Sequence, residues 1–147
     1  MNKIKYIKGD LMITEYQFIA HGCNAQGVMA SGVAKLIKEK YPKAFGVYRN
    51  KYLMIGSDIF GRNIVCDDYD KTIVNMVTQE YYGHNKNTQY VSYDAIASCM
   101  AAFEKDYPKT TLAMPMIGAG LGGGNWDIIS NIIENELTTV QPVVYVL

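Results

Sequence analysis

The 147-residue sequence predicts a single α/β domain in which helices cover both faces of a sheet. Short apolar segments alternate with helical patterns in the order β-β-α-β-β-α-β-α-β, an interleaving typical of layered α/β folds. With 49% hydrophobic residues, the chain has enough apolar material to bury a core. No internal repeat and no linker rich in proline, glycine or serine divides it, so one domain is expected over residues 1–147.

Six short segments, rich in apolar residues and ending near turn residues, predict the strands. They are residues 4–8, 17–21, 64–66, 73–77, 111–114 and 143–146. The first runs into Gly9 and Asp10, and aspartates at positions 67, 68 and 70 mark the turn between the third and the fourth. The last is apolar throughout, which predicts a central position in the sheet.

Three segments have the apolar spacing of amphipathic helices. The first starts at Val33 and is expected to end at Pro42. The second follows Ser92 or Asp94, either of which can cap it, and the third follows Asn125, a good N-cap. The residues expected to face the core are Ile96, Met100 and Phe103 in the second helix, and Ile128, Ile129, Ile132, Ile133 and Leu137 in the third.

Charge and cysteine content exclude several classes of protein. Fourteen basic residues balance fourteen acidic ones, so the whole chain has no strong field for nucleic acid or an anionic membrane. Residues 1–8 alternate lysine with apolar residues, unlike a signal peptide, and no stretch approaches the length of a membrane span. Cys23, Cys66 and Cys99 lack metal-type spacing, so we expect reduced thiols in a cytoplasmic protein without a metal or another cofactor.

Two glycine-rich loops, residues 21–32 and 115–124, each follow a strand and open a helix. Glycine lets successive backbone amides converge on an anion, and the N-terminus of the following helix adds its dipole. Gly118, Gly120 and Gly123 satisfy the G-x-G-x-x-G pattern, but their place near the carboxyl terminus is wrong for a Rossmann fold. Two such loops favour a diphosphate site over a pair of tight turns.

Taken together, these segments resemble the macrodomain, an α/β/α module that binds ADP-ribose. The matching segments, which cover nearly the whole chain in the family's order, are Lys8-Gly9-Asp10-Leu11, His21-Gly22-Cys23-Asn24, residues 27–34, residues 114–121 and residues 144–147. The resemblance implies three layers with a mixed central sheet. The most similar subgroup holds the yeast-type ADP-ribose 1″-phosphate phosphatases, the human terminal ADP-ribose-glutamate hydrolase and compact phage macrodomains.

The resemblance also implies a role for each part of the site. Asp10 would accept the adenine amino group beside the backbone of Leu11, Asn24 would contact the distal ribose, and Leu147 would lie near the adenosine. Asp10 and Asn24 have a simpler alternative as turn residues. The full set of expected ligand contacts is Asp10, Leu11, Cys23, Asn24, Gly27, Val28, Met29, Ser31, Gly32 and Val33 on one side, and Ile117, Gly118, Ala119, Gly120, Leu121, Gly122 and Leu147 on the other.

Three activities remain open at this point. His21 stands where the yeast-type phosphatases also have histidine, which implies hydrolysis of ADP-ribose 1″-phosphate with His21 as the catalytic group. The alternative for His21 is a hydrogen-bonded structural residue at a strand end. The glutamate hydrolases use a lysine and an aspartate, and this chain has Gln79 and Gly122 at those positions, so a hydrolase would need another mechanism. The third possibility is a module that binds ADP-ribose without turnover. An ADP-ribosylated protein or nucleic acid is a further expected partner, and a membrane is not.

Overall fold

The computed structural model describes residues 2–147, and Met1, at the start of the lysine-containing amino terminus, lies outside the described residues. Six strands and four α-helices follow one another along this range, with short 3₁₀ turns at Leu11–Ile13 and Gly56–Ile59. The elements are β1 (Lys5–Lys8), β2 (Phe18–Asn24), α1 (Gly32–Lys40), α2 (Pro42–Ile55), β3 (Asn63–Asp68), β4 (Lys71–Gln79), α3 (Tyr93–Asp106), β5 (Thr111–Met114), α4 (Trp126–Glu136) and β6 (Gln141–Val146).

The sheet is mixed and lies between two helical layers, which confirms the predicted α/β/α architecture. Its strand order is β1-β6-β5-β2-β4-β3, and β3 alone is antiparallel to its neighbour. Helices α1 and α2 pack over β2, β3 and β4 on one face, while α3 and α4 pack together on the other. Strand β6 lies between β1 and β5, in the central position that its apolar sequence predicts.

Local signals for turns and caps are also confirmed. The side chain of Ser92 accepts from the N–H of Ala95 at the start of α3, and the side chain of Asn125 accepts from the N–H of Asp127 at the start of α4. The β3–β4 hairpin turns at Tyr69, whose φ of 56° is left-handed. All three cysteines are free and buried.

Helix α1 ends at Lys40, just before Pro42, as the sequence predicts, but a second helix follows directly. Pro42 is the first residue of α2, a 14-residue helix that the sequence analysis did not predict. Proline suits this position because its missing N–H would have no partner in the first turn and its fixed φ is already helical. The buried residues of α2 are Ala44 and Tyr48, so its apolar stripe is narrow and interrupted by Gly46. This weak stripe explains why periodicity did not reveal the helix.

Candidate functional site

A cleft of about 350 Å³ opens at the carboxyl ends of the central strands. The loops after β2 and β5 form its two sides, and the end of β4 forms part of its floor. Strand β2 leads to α1 on one face of the sheet, whereas its neighbour β5 leads to α4 on the other. A cleft between two such strands is the usual ligand site of an open α/β sheet.

Eleven of the residues expected to contact a ligand line this cleft. They are Cys23, Asn24, Val28, Ser31, Gly32 and Val33 from the first side, and Ile117, Gly118, Gly120, Leu121 and Gly122 from the second. The structure therefore brings together the two glycine loops, which are 83 or more residues apart in the sequence.

The side chain of Asn24 shapes the first loop. Its Oδ1 accepts from the backbone N–H of Gln26 at 3.0 Å and of Val28 at 3.3 Å, and its Nδ2 donates to the carbonyl oxygen of Val28 at 2.8 Å. The hydroxyl of Tyr48, on α2, donates to the same Oδ1 at 2.8 Å. Asn24 is therefore a turn residue that also faces the cleft, and its contact with the distal ribose stays a prediction.

Gly27 is the point at which the first loop packs against α2. Its φ is +74°, and a Cβ there would lie 2.5 Å from Cδ2 of Tyr52. Arg49 donates from Nη1 to the carbonyl oxygen of Gly27 at 3.3 Å. Only glycine fits this close, left-handed position without strain, so Gly27 supports the loop from behind and does not line the cleft.

The N-terminus of α1 points its free amides at the cleft. Ser31 is the N-cap, but its side chain makes no capping hydrogen bond, and the first turn holds no acidic residue. Both α3 and α4, in contrast, have a capping side chain and an aspartate in the first turn. The unpaired N–H groups and positive dipole end of α1 are thus left for an anion in the cleft, which Ser31, Gly32, Val33 and Ala34 line.

Backbone hydrogen bonds, within the loop and from residues 90 and 91, hold the second loop in shape. Gly118 has a φ of +80°, its carbonyl oxygen accepts from the N–H of Gly124 at 2.8 Å, and the carbonyl oxygen of Gly122 accepts from the N–H of Tyr90 and of Val91. A side chain on Gly122 would lie 2.7 Å from the carbonyl oxygen of Gly118. Gly120 has open space around it. The conformation of the loop is therefore fixed, and Gly120 is a position at which a side chain would find free space.

The two loops approach each other across the cleft. A Cβ on Gly32 would lie 3.9 Å from Cδ1 of Leu121, at ordinary van der Waals contact. The amides at the start of α1 and those of the second loop therefore face a common space, in which a diphosphate can be bound from both sides.

The floor of the cleft contains a buried hydroxyl without a partner. Thr78, near the end of β4, is 1% exposed, and its Oγ1 has no hydrogen-bond partner among the described residues. A Cβ on Gly22 would lie 3.1 Å from this oxygen and 3.3 Å from Ile117. Glycine at position 22 thus leaves the floor open between Thr78 and Ile117.

No charged side chain lines the cleft within residues 2–147. Gln79 lines it where the glutamate hydrolases have lysine, and its Nε2 donates to the carbonyl oxygen of Tyr81 at 2.7 Å. Gly122 lines it where they have aspartate. Cys23 also lines it, but its thiol lies in the core, 3.6 Å from Nε2 of His21, and burial raises the pKa of this thiol well above its usual range, so it is neutral. The cleft therefore offers hydrogen-bond donors and shape, but no acid, base or nucleophile.

His21 does not line the cleft. Its side chain is fully buried between β2 and α2, and its Nε2 lies 2.6 Å from Oδ1 of Asn75. The amide nitrogen of Asn75 donates to the carbonyl oxygens of Ala44 and Ile64, so its Oδ1 is the acceptor and Nε2 of His21 carries the proton. Burial lowers the pKa of His21 to about 4. The geometry does not support the catalytic role expected for His21 and instead indicates a neutral core residue that joins two strands.

The other expected contacts lie outside the cleft. Asp10 caps the turn after β1 by accepting from the N–H of Met12 at 2.9 Å, the turn role considered for it, and its contact with adenine stays a prediction. Leu11 and Met29 are buried in the core, and Leu147 is 99% exposed. Gly27 and Ala119 support the two loops without lining the cleft.

Sequence reasoning missed several residues of the cleft, and it named Gln79 only as the counterpart of the lysine of the glutamate hydrolases. Thr78, Gln79, Tyr82 and Gly83, at the end of β4 and just after it, line the cleft between the glycine loops. Their place in the site could have been predicted, because β4 was expected as a strand and the carboxyl ends of parallel strands meet at one edge of a sheet. Gly22, Ala30, Ala34, Pro115 and Met116 complete the lining.

Two features absent from residues 2–147 bear on the class of site. They contain no group of three or more histidine, cysteine, aspartate or glutamate side chains placed to hold a metal ion. None of their helices is both long enough and apolar enough to cross a membrane.

Comparisons with known proteins agree with this geometry. A family model described as the Macro domain matches residues 20–133. An uncharacterised 17.5 kDa protein of Enterobacteria phage T4 is 35% identical over 96% of this chain and 94% of its own length. An ADP-ribose 1″-phosphate phosphatase of Lodderomyces elongisporus is 29% identical over 98% of both chains. A DNA ADP-ribosyl glycohydrolase of Mycobacterium bovis is 27% identical over 97% of this chain, which spans 42% of that protein.

Solved structures show the same fold. A protein of unknown function from Bacteroides thetaiotaomicron superposes with a TM-score of 0.85, at 29% identity and 99% coverage of both chains. The macrodomain of Mycobacterium tuberculosis DarG superposes with a TM-score of 0.77 at 24% identity, over 99% of this chain and 98% of that one. The family match, the fold and the two facing glycine loops lead to one conclusion, that this chain belongs to the macrodomain family.

Proposed function

We propose that the cleft binds ADP-ribose and that the protein hydrolyses the bond at C1″ of the distal ribose in an ADP-ribose derivative. The observation that carries the proposal is the uncapped N-terminus of α1, which faces the second glycine loop across a cleft of about 350 Å³. A diphosphate fits between them because both sides offer backbone N–H groups and neither carries a negative charge.

The orientation of the ligand follows from the floor of the cleft. With the diphosphate between the loops, the distal ribose lies over Gly22 and Thr78, where Asn24 and Gln79 offer amide groups to its hydroxyls. The adenosine then extends toward Asp10 and Leu147, in line with the resemblance that assigned them to the adenine end. C1″ is directed toward Tyr82 and Gly83 at the mouth of the cleft.

Hydrolysis in this cleft has to proceed without a charged side chain of the protein. The fixed amides of the two loops stabilise negative charge that develops on the substrate, an electrostatic contribution that needs no proton transfer. With ADP-ribose 1″-phosphate, the oxygen of water bonds to C1″ and the C1″–O bond to the phosphate breaks. One proton of the water stays on the new hydroxyl and the other goes to the departing phosphate, which gives ADP-ribose and inorganic phosphate. Relatives named for this activity support it, since one of them is similar over 98% of both chains.

A second candidate is removal of ADP-ribose from DNA, the activity for which the mycobacterial relative is named. The observation that favours it is Tyr82, which lines the cleft and is 52% exposed. A planar, exposed ring at this place can stack on an aromatic base attached to C1″.

A turnover assay separates these candidates. The protein is incubated in turn with ADP-ribose 1″-phosphate and with an ADP-ribosylated oligonucleotide, and released phosphate and ADP-ribose are measured. Release from either substrate identifies the leaving group. Release should persist in His21→Gln, because the side chain of His21 is buried in the core and does not line the cleft. Tight binding of ADP-ribose with no release from either substrate would contradict the hydrolase and leave a binding module.

A further inference from the structure

Two buried side-chain atoms have no hydrogen-bond partner among residues 2–147: Oδ1 of Asn63 and Oγ1 of Thr78. Asn63 lies on β3, at the edge of the sheet and outside the cleft lining, whereas Thr78 lines the cleft. The hydroxyls of Thr14 and Thr72, which are also buried, each have a side-chain partner at 2.7 Å. Because buried hydroxyls in proteins are almost always bonded, the hydroxyl of Thr78 is an exception that needs an explanation.

The register of β4 against β2 shifts at Thr78. Val77 is opposite Cys23 and Gln79 is opposite Asn24, so Thr78 is an extra residue with no counterpart in the β2–β4 ladder. Irregularities of this kind are common next to ligand sites, where they set the direction of a side chain. This one lies at the carboxyl ends of both strands, where the cleft opens.

No side chain of β2 covers the hydroxyl of Thr78, because the residue of β2 beside it is Gly22. A Cβ at position 22 would lie 3.1 Å from Oγ1 of Thr78, which is tighter than ordinary contact. Ile117 lies 3.3 Å from the same position and offers no hydrogen-bonding side chain. Thr78 is 1% exposed, so bulk water does not satisfy its hydroxyl. The missing partner is therefore a small polar group that a ligand brings to the floor of the cleft.

Thr78 is the polar side chain of the floor whose hydrogen-bonding capacity is fully available. Oδ1 of Asn24 already accepts from two backbone amides and from the hydroxyl of Tyr48. Nε2 of Gln79 donates to the carbonyl oxygen of Tyr81. The hydroxyl of Thr78 uses neither its donor nor its acceptor in the free protein, and a hydroxyl can do both at once.

A sugar hydroxyl matches this place better than a phosphate oxygen does. The amides that suit a phosphate are at the sides of the cleft, at the start of α1 and in the second glycine loop. Beside Thr78 lies the apolar side chain of Ile117, which would leave a charged oxygen poorly solvated. A ribose hydroxyl is small and neutral, and it donates and accepts as the hydroxyl of threonine does.

We propose that Thr78 selects ligands that carry a distal ribose, because its hydroxyl forms a hydrogen bond with a hydroxyl of that sugar. The inference rests on the proposed function, since it takes the ligand of the cleft to be an ADP-ribose derivative. Rotation about the Cα–Cβ bond of Thr78 turns the hydroxyl toward this ligand without a change in the backbone. ADP ends at its second phosphate and leaves the hydroxyl unpaired, so ADP-ribose alone gains the hydrogen bond.

The test measures the binding of two ligands by four proteins. ADP-ribose is titrated calorimetrically, and ADP, which lacks the distal ribose, is measured by competition with it. The proteins are the wild type, Thr78→Val, Thr78→Ser and Thr138→Val. Valine keeps the shape of threonine without the hydroxyl, and serine keeps the hydroxyl without the methyl group. Thr138 is exposed and outside the cleft lining, so its replacement by valine is the matched control.

Thr78→Val should bind ADP-ribose about tenfold more weakly than the wild type does, because one hydrogen bond to the ligand is lost. Its affinity for ADP should be unchanged, so the ratio of the two affinities should fall by the same factor. Thr78→Ser and the control should keep the wild-type ratio. A purely structural role of Thr78 would change the binding of both ligands together and would leave the ratio as it is.

The contrary outcomes distinguish this inference from the proposed function. Equal binding of ADP-ribose by the wild type and Thr78→Val, or an equal loss for ADP-ribose and ADP, would overturn the role of Thr78 while the proposed function stands. A loss in Thr78→Ser as large as in Thr78→Val would do the same, because it would assign the effect to shape. If ADP-ribose does not bind the wild type, the proposed function fails and the inference fails with it.

Discussion

His21 and Gly22, neighbours near the end of β2, show how the face of a strand on which a residue lies decides what that residue can contact. Side chains alternate between the two faces of a strand, so His21 and Gly22 necessarily point to opposite sides of β2. The alternation does not determine which side chains face the ligand, because that depends on which face of the strand the helices cover. The sequence placed His21 correctly on a strand leading into the cleft, but only the packing of α2 shows that its ring is enclosed.

Burial of His21 predicts a pH-dependent stability. Its pKa is about 4 in the folded protein and about 6.5 when unfolded, so the unfolded chain binds more protons between these values. The free energy of unfolding should therefore decrease as the pH falls from about 6.5 to about 4, with a contribution of up to about 3 kcal/mol from this residue. Denaturant unfolding of the wild type and His21→Gln at pH 7 and pH 4.5 measures it. The variant should lose most of this pH dependence, and equal pH dependence in both proteins would contradict the assignment.

The hydroxyl of Thr78 is a cost to the folded protein, because it is buried without a partner. Replacement by the similarly shaped valine should raise the free energy of unfolding by about 1 kcal/mol, since an unsatisfied polar group is removed and no bond is lost. Chemical denaturation of Thr78→Val measures the change. A decrease of similar size would show that the hydroxyl is bonded in the folded protein. Retention of such a costly group on the floor of a cleft is typical of residues that serve a ligand.

At the scale of elements, the strands, three of the helices and both glycine loops could be predicted from periodicity and turn residues. Helix α2 could not, because only Ala44 and Tyr48 of its residues are fully buried and proline was interpreted as a terminator. The cleft residues at the end of β4 were not predicted as its lining, for a different reason. Thr78 and Gln79 have no local signal, and only the adjacency of β4 to β2 brings them to the site.

The first loop depends on its contact with α2, and Gly27 provides the test. Alanine at position 27 would combine a φ of +74° with a Cβ only 2.5 Å from Tyr52. Gly27→Ala should therefore lower the free energy of unfolding by about 2 kcal/mol or more. Gly46→Ala is the matched control, because position 46 is helical with open space and alanine there should stabilise by about 0.5–1 kcal/mol. Equal effects in thermal or chemical unfolding would show that the packing of Gly27 is unimportant.

For the whole molecule, the net charge of the chain did not predict how charge is distributed over its surface. A balance of fourteen basic and fourteen acidic residues argued against a polyanionic partner, yet the fold separates those charges into a positive and a negative helical layer. Net charge is a sum over the chain, whereas a binding partner meets only the local field of one face. The family resemblance, in contrast, extended over the full chain and predicted the layers and the mixed sheet correctly.

The measurement that tests the central claim most directly is a calorimetric titration of ADP-ribose into the wild type and Gly120→Asp. Position 120 lines the cleft and has open space, so aspartate should be accommodated without disturbing the fold and should place a negative charge where the diphosphate is expected. Gly46→Asp, on α2 and outside the cleft lining, controls for the added charge. The account predicts micromolar binding to the wild type and to the control, and a loss of at least about tenfold in Gly120→Asp. Equal affinity in all three proteins, or no binding to the wild type, would show that the glycine loops do not form a diphosphate site.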